Sequence, residues 1–547
     1  MLVTSDNLVT MLKSYQKLHF LVVDDFENFR MSLRQMLRAF GAEHIDTASS
    51  GHEAVSKCTF NRFDIVLCDY NLGSGKNGQQ VLEELRYKKL LKRTSIFVMV
   101  TAETSRDMVM GARECQPDGY ITKPITKAVL EQRMNGLIAQ REALYAINKE
   151  IDLEDYPKAI SLSQQALKTQ PRYRTHILRI LGELYLLTGD LAHAKKTYED
   201  VMNARDMPWA RMGLGRVLMA QNQLDDAIHC FELLITQSPD YMEAYDGLAE
   251  ALKRQGKAKQ AQTVLEDAVR LSPRIIVRQQ QLAELATQNQ DLSTALSALR
   301  NTLKLANHSV HDTPDNYLNL GRCLTELSES DDPELGAKHA EEALQTLQKL
   351  EKRFRDDEQA KLAGMMIEAR VYVAQNKPDF ARKLMKQIEE RVTEVELTAD
   401  AGIELARSLY AMKENDKADA LLTRLADQYQ DNPDVIQRIE ALMDEPVGMQ
   451  AKVQARSLNR EGIAFFEQGH LDDAVQAFED ALKLVPRHAA LNLNLVQVIL
   501  KRIEKDGRSS ELIQRCKGCL ERVSYIPPQH RQHKRLEFLK RKLASLG

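Results

Sequence analysis

Short apolar runs that end in polar residues dominate the first 125 positions of the chain. Runs this short, rich in β-branched and aromatic residues, are typical of the buried strands of a parallel sheet. Helical periodicity lies between them, and the first helix is predicted near residues 27–40. Residues 18–125 are therefore predicted to alternate strands and helices. The predicted strand segments are residues 20–23, 63–70, 96–100 and 119–122.

A side chain that can take part in chemistry lies at the end of each of these segments or directly after it. In open α/β sheets, ligands bind at the carboxyl ends of the strands. The carboxylates there, Asp24, Asp25 and Asp69, can hold Mg²⁺, which prefers oxygen ligands. Asp69 is the candidate nucleophile for a phosphoryl group. Thr101 and Lys123 would hold the phosphoryl oxygens, because positioning and charge neutralisation dominate such transfers.

The order of these residues carries a family resemblance. Residues 18–137 resemble the receiver domain of two-component response regulators, of the CheY type. The acidic pair, Asp69 at a strand end, Thr101 at the next and the Lys123-Pro124 dipeptide all follow the family's order. The resemblance implies a doubly wound, flavodoxin-like α/β fold, a phosphoacceptor at Asp69, and a histidine kinase or histidine phosphotransfer protein as phosphodonor.

Further roles follow only from this resemblance. The backbone carbonyl of Asn71 would be an additional Mg²⁺ ligand. Thr101 and Tyr120 would be the switch residues, and the side chains of Asn71 and Glu103 would tune dephosphorylation. The loop over residues 71–78 departs from the family pattern, because it lacks the usual proline and is one residue longer.

From about residue 140 the strand signal disappears and a repeat replaces it. Small residues recur at a spacing of 34, and bulky apolar residues follow each of them by four, as in tetratricopeptide repeats (TPR). We predict an all-α TPR solenoid over residues 151–500, with about nine to ten helix pairs of which the middle ones are divergent. The positions that set the period are Ala227, Ala261 and Ala295, with Phe231, Leu265 and Leu299.

Arrays of this type present a groove to protein or peptide ligands, which the resemblance implies here as well. The groove would be formed by exposed positions on the first helix of each pair. The candidates are Arg179, Glu183, Arg216, Met219, Asp246, Glu250 and Lys253. Their mixed charges do not identify a ligand, and each can also be ordinary solvated surface.

Three further segments complete the predicted organisation. Residues 1–17 have the apolar spacing of an amphipathic helix. Residues 138–150 are predicted to be a helical linker, and residues 128–149 to be a nearly continuous helix. Residues 501–547 hold 13 Lys/Arg against 5 Asp/Glu and are predicted to be basic capping helices.

Composition narrows the class of protein. A net charge of −3 over 547 residues gives no general nucleic-acid signal, and the seven cysteines do not suggest a disulfide framework. The sequence has no long apolar segment and no leader pattern, so we expect a cytoplasmic protein without membrane contact. It also has no P-loop, nucleophile elbow or zinc spacing, and we expect no enzymatic output.

The interpretation that these patterns favour is a response regulator whose output is protein–protein interaction. One alternative is a constitutive TPR adaptor that binds the kinase or a sister regulator and diverts phosphoryl groups. A less favoured alternative is a nucleic-acid-associated regulator that uses the basic tail. The sequence leaves a homodimer open, since receivers often pair through the face containing the fourth helix and fifth strand.

Overall fold

The structure, a computed structural model, describes residues 15–102, 114–329, 332–392, 397–440, 442–443, 449–484, 488–507, 510–523 and 532–546. The chain divides into two compact units, Met1–Leu327 and Ser328–Gly547. Most of the predicted N-terminal helix lies outside the described residues. Its last predicted apolar position, Tyr15, is buried and stacks on Phe20 with ring centroids 6.0 Å apart.

The first unit begins with a five-stranded sheet in the order β2-β1-β3-β4-β5. All four pairings are parallel, which confirms the predicted doubly wound α/β fold. The strands are β1 His19–Val23, β2 His44–Ala48, β3 Ile65–Asp69, β4 Ile96–Thr101 and β5 Gly119–Thr122.

The side-chain alternation of β1 explains why the sheet is covered on both faces. Phe20 and Val22 enter one hydrophobic core, whereas Leu21 and Val23 enter the core on the opposite face. Two of the three inner strands, β3 and β4, are buried at every position. Burial on both faces is what produces near-continuous apolar runs in the sequence, so the central strands are the easiest to predict.

Four helices are described around the sheet: α1 Glu27–Ala39, α2 Gly51–Phe60, α3 Gly78–Tyr87 and α4 Lys127–Asp152. Local caps fix where they begin. Asn77 and Gln80 form a capping box at the start of α3, and the Thr126 hydroxyl accepts a hydrogen bond from the Val129 amide at the start of α4. The continuous helix predicted over residues 128–149 is present within α4.

The rest of the first unit is built from antiparallel helix pairs, as a tetratricopeptide array requires. Phe231 is fully buried, and a Cβ placed at Gly247 would lie 2.8 Å from its ring. The small residue lets the next helix approach the aromatic ring closely. The helices are α5 Tyr156–Thr169, α6 Arg174–Leu187, α7 Leu191–Ala204, α8 Pro208–Ala220, α9 Leu224–Gln237, α10 Met242–Arg254, α11 Ala258–Leu271, α12 Ile276–Gln288, α13 Leu292–Ala306 and α14 Pro314–Ser328.

The second unit is helical wherever regular structure is described. Phe478 also packs against a glycine, since a Cβ at Gly462, on the helix before it, would lie 2.8 Å from its ring. Among the described residues of the whole chain, no helix has the length and apolar content needed to cross a membrane. The helices are α15 Pro333–Arg353, α16 Glu358–Ala374, α17 Pro378–Val392, α18 Ala399–Ala411, α19 Asn415–Gln428, α20 Pro433–Glu440, α21 Met449–Glu467, α22 Leu471–Leu484, α23 Ala489–Asp506, α24 Ser510–Arg522 and α25 His533–Leu546.

Candidate functional site

Three acidic side chains meet at the carboxyl edge of the sheet because the strand register brings them there. Val23 of β1 lies opposite Cys68 of β3, so the residues that follow each of them, Asp24 and Asp69, are neighbours. Asp25 comes next in the chain. One carboxylate oxygen from each of the three lies within 4.8 Å of the others, which is close enough to share a cation.

Lys123, which directly follows the edge strand β5, also reaches this cluster. Thr101 pairs with Thr122, and the amide of Lys123 donates to the Thr101 carbonyl at 2.8 Å, which extends the ladder by one residue. The Lys123 Nζ lies 2.8 Å from Asp24 Oδ2 and 3.0 Å from Asp69 Oδ2. The same ammonium lies 4.1 Å from the centroid of the Phe29 ring. One cation therefore bridges two carboxylates.

Burial sets the electrostatics of this bridge. Asp24 is 1% exposed and Asp69 is 6% exposed. Burial raises the pKa of Asp69 above its ordinary value, although the hydrogen bond from Lys123 opposes the rise. For Lys123, burial opposes the charged form, but the hydrogen bonds to Asp24 and Asp69 raise its pKa overall. The ammonium is therefore held charged beside the candidate nucleophile.

The donor set fits Mg²⁺. Three carboxylates converge within 4.8 Å, and carboxylate oxygens are the ligands that this small, hard cation takes in proteins. Lys123 offsets only part of their negative charge. Asp24, Asp25 and Asp69 are thus the residues that would hold the cation.

The loop between Asp69 and helix α3 is packed against the cluster. A Cβ at Gly78 would lie 3.0 Å from the carbonyl carbon of Asp69 and nearer still to its oxygen, so this position accepts only glycine without movement. Gly73 has a φ of +71°, a left-handed conformation that favours glycine, and a Cβ there would lie 3.3 Å from an Asp25 oxygen. Asn71 is exposed in this loop.

The remaining predicted receiver residues are placed as follows. Thr101 is buried at the end of β4, the strand next to Asp69. Tyr120 is half-buried on β5 and packs against the core that contains Leu21 and Phe97. Glu103 lies outside the described residues. The roles predicted for these side chains stay predictions.

The predicted groove residues lie on α6, α8 and α10, the first helices of successive pairs. Four of them, Arg216, Met219, Asp246 and Glu250, line one cavity of about 380 Å³. Lys253 pairs instead with Glu284 on α12 at 2.7 Å. The other two, Arg179 and Glu183, pair with each other at 3.3 Å.

Sequence reasoning missed the residues through which the α/β domain contacts these helices. Arg278 on α12 is 1% exposed and pairs with Glu114 at 2.7 Å. Arg93 lies 3.2 Å from Glu183, one of the predicted groove residues. No periodicity or motif marks these positions, because the contacts join residues far apart in the chain. An arginine on the apolar side of a repeat helix was the one available signal.

Comparisons with known proteins support the same division of the chain. A family model described as a response regulator receiver domain matches residues 20–135. Models described as tetratricopeptide repeats match residues 218–282, 400–432 and 455–488.

Two chemotaxis proteins are among the similar curated proteins. CheY-3 of Vibrio cholerae serotype O1 is 31% identical over 120 residues, which are 22% of this chain and 91% of that protein. CheY of Pseudomonas aeruginosa is 32% identical over 114 residues, which are 21% of this chain and 90% of that protein. Among solved structures, chemotaxis protein CheY4 of Vibrio cholerae matches with 25% identity and a TM-score of 0.21, and covers 22% of this chain and 98% of that one.

Proposed function

This chain belongs to the response regulator family through its N-terminal receiver domain, and on that premise we propose that it is a cytoplasmic regulator switched by phosphorylation of Asp69. Its phosphodonor is a histidine kinase or a histidine phosphotransfer protein. Its output is protein–protein interaction through the tetratricopeptide repeats, and it carries no enzymatic output of its own.

The observation that carries this proposal is the bridge from Lys123 to Asp24 and Asp69. The ammonium lies 2.8 and 3.0 Å from the two carboxylates, so it stands where the oxygens of a phosphoryl group on Asp69 would need a partner. It also opposes the protonation of Asp69 that burial favours. A neutral carboxylic acid would be a poor nucleophile.

The transfer follows from this arrangement. An oxygen of the Asp69 carboxylate forms a bond to phosphorus, while the bond from phosphorus to the imidazole nitrogen of the donor histidine breaks and its electron pair stays on the imidazole. Mg²⁺ held by Asp24, Asp25 and Asp69 would neutralise charge on the phosphoryl oxygens. Lys123 holds one of those oxygens through its Nζ, and the Thr101 hydroxyl turns towards another.

Phosphorylation from a small phosphodonor tests the first half of the proposal. Wild type incubated with acetyl phosphate and Mg²⁺ should show a phosphorylated band on a phosphate-affinity gel, and no band should form when a chelator of Mg²⁺ is present from the start. Asp69→Asn should lose the band. Asp46→Asn, a matched change at an exposed aspartate of β2, should keep it. A persistent band in Asp69→Asn would mean that another residue is the acceptor.

A pull-down tests the output. Wild type and Asp69→Ala are compared with and without beryllofluoride and Mg²⁺, since beryllofluoride stands in for the phosphoryl group. We expect a partner whose capture changes only with intact Asp69 and beryllofluoride. Equal capture in all four conditions would support the constitutive adaptor instead, with the repeats as a static platform.

A further inference from the structure

Within the first unit, the receiver domain lies against the first helices of the repeats. We call this surface, formed by α6, α8, α10 and α12, the first-helix surface. Arg93 of the receiver pairs with Glu183 on α6. Gln116 hydrogen-bonds to Glu243 on α10. The surface on which a protein ligand is expected is therefore in contact with the chain's own receiver.

Arg278 on α12 is the most deeply buried charged residue in this contact. Its Nη2 donates both to Glu114 of the receiver and to Asp246 of α10, at 2.7 Å each, and its Nε donates to the other Asp246 oxygen at 2.7 Å. The side chain is 1% exposed, so its charge depends on these carboxylates rather than on water. Asp246 belongs to the repeats and stays in place, whereas Glu114 is supplied by the receiver. A departing receiver would remove one of the two carboxylates that contact Arg278 and leave it paired with Asp246 alone.

A second contact starts in the loop that follows the phosphoacceptor. The Lys76 Nζ donates to the His308 carbonyl at 2.6 Å, just beyond the C-terminus of α13, and the side chain of Gln80 donates to the Asn307 carbonyl at 3.1 Å. The Gln80 side chain also donates to the Leu305 carbonyl, in the last turn of α13, at 3.4 Å. The last carbonyls of a helix have no partner within the helix. Gln80 therefore contacts the end of α13, and Lys76 contacts the backbone just beyond it.

The same loop also reaches the acidic cluster. Gly78, between Lys76 and Gln80, is packed against the backbone of Asp69. A movement of the Asp69 backbone would therefore act directly on the segment that contacts the end of α13.

We propose that the first-helix surface is a binding site for an acidic protein segment centred on Arg278, which the receiver's Glu114 occupies in this structure. A partner binds by presenting a carboxylate to Arg278 in place of Glu114. Phosphorylation of Asp69 favours this exchange through the loop that carries Lys76. This last step rests on the proposed function, whereas the binding site itself does not.

Chemical modification of Arg278 in the full chain measures how often Glu114 leaves this side chain. Phenylglyoxal reacts with accessible guanidinium groups, and mass spectrometry gives the rate at Arg278 relative to Arg270, which is 73% exposed on the preceding helix. Glu114→Gln should raise this ratio about tenfold or more, since a charge-assisted contact is lost. An unchanged ratio in this variant would overturn the occupied-site proposal.

Lys76→Met tests the loop, and Lys88→Met is its matched control. Both lysines pair with Glu84, at 2.8 and 2.7 Å, but only Lys76 contacts the repeats. Lys76→Met should raise the ratio of the Arg278 rate to the Arg270 rate about fivefold, which is the lower end of the coupling usually found between sites. Lys88→Met should leave this ratio unchanged. Circular dichroism checks that both variants are folded. Equal behaviour of the two would mean that the loop does not hold the receiver.

Beryllofluoride with Mg²⁺ separates this inference from the proposed function. Binding is followed by fluorine NMR, and the Arg278 ratio is measured in the same sample. Binding with a raised ratio supports the coupling, whereas binding with an unchanged ratio overturns it and leaves phosphorylation intact. Absence of binding overturns both the proposed function and the coupling.

Poly-L-glutamate is the probe for an acidic partner. Added to Glu114→Gln, it should restore the low reactivity of Arg278 and leave that of Arg270 unchanged. Failure to protect Arg278, or equal protection of both arginines, would overturn the acidic-segment proposal.

Discussion

Replacing Gly78 by alanine should damage the acidic cluster although Gly78 carries no functional group. The new Cβ would lie 3.0 Å from the Asp69 carbonyl carbon and from Met99 Sδ, and nearer still to the Asp69 oxygen. Such approaches force the backbone to move, and both neighbours are buried at the centre of the domain. Overpacking of this kind costs about 1–3 kcal/mol of stability.

Gly136→Ala is the matched control. Gly136 lies inside α4, and a Cβ there meets nothing within 4 Å. The same substitution should therefore stabilise the protein by about 0.5–1 kcal/mol through helix propensity alone. The two variants should move the free energy of unfolding in opposite directions, with a difference of about 1.5–4 kcal/mol between them.

Two measurements check this contrast. Urea denaturation followed by circular dichroism gives the change in stability, and isothermal titration with Mg²⁺ gives the effect on the cluster. We expect weaker Mg²⁺ binding in Gly78→Ala and unchanged binding in Gly136→Ala. Wild-type stability together with wild-type Mg²⁺ affinity in Gly78→Ala would refute the argument that this glycine positions Asp69.

Two other predictions concern the repeats. Phe231→Ala should lower the free energy of unfolding by about 3–5 kcal/mol, because Phe231 is fully buried. The control Phe60→Ala, at a residue that is 82% exposed, should change it by no more than about 0.5 kcal/mol. Urea denaturation measures both changes. Asp291 caps α13, and hydrogen bonds from Thr294 lower its pKa to about 2. Because the folded pKa lies below the ordinary value, this stabilisation is present above pH ~4 and is lost as pH falls towards 2, so the stability advantage of wild type over Asp291→Asn should shrink between pH 5 and pH 3.

The sequence predicts the sheet and its acidic edge well because both are local properties. Central strands buried on two faces produce unbroken apolar runs, and the position where each run stops is the edge of the sheet. Parallel register then brings Asp24 next to Asp69 without further information. The repeats are predictable for a related reason. Each unit must bury its face against the next, so the spacing of Ala227 and Phe231 recurs along the chain.

The contacts between receiver and repeats could not be predicted in the same way. Arg278 and Glu114 are 164 positions apart, and their meeting depends on the angle at which α4 leaves the receiver. The contact of Lys76 could not be predicted either, because its partner is the backbone carbonyl of His308, which any residue type can supply. Apart from the arginine on the apolar side of α12, the sequence pattern gives no signal for these contacts, because the partners do not recur at a fixed spacing.

The size of the proposed coupling limits how stable the occupied state can be. Phosphorylation shifts the equilibrium only by the difference in its affinity for the two states, usually about 1–3 kcal/mol, or about 5- to 150-fold. If the receiver occupied the first-helix surface 99 times in 100, a 150-fold shift would free about 60% of the molecules, and a fivefold shift only about 5%. A useful switch therefore needs a weakly held receiver. The contacts made by Glu114, Lys76 and Arg93 are hydrogen bonds and ion pairs, which a polar partner can replace.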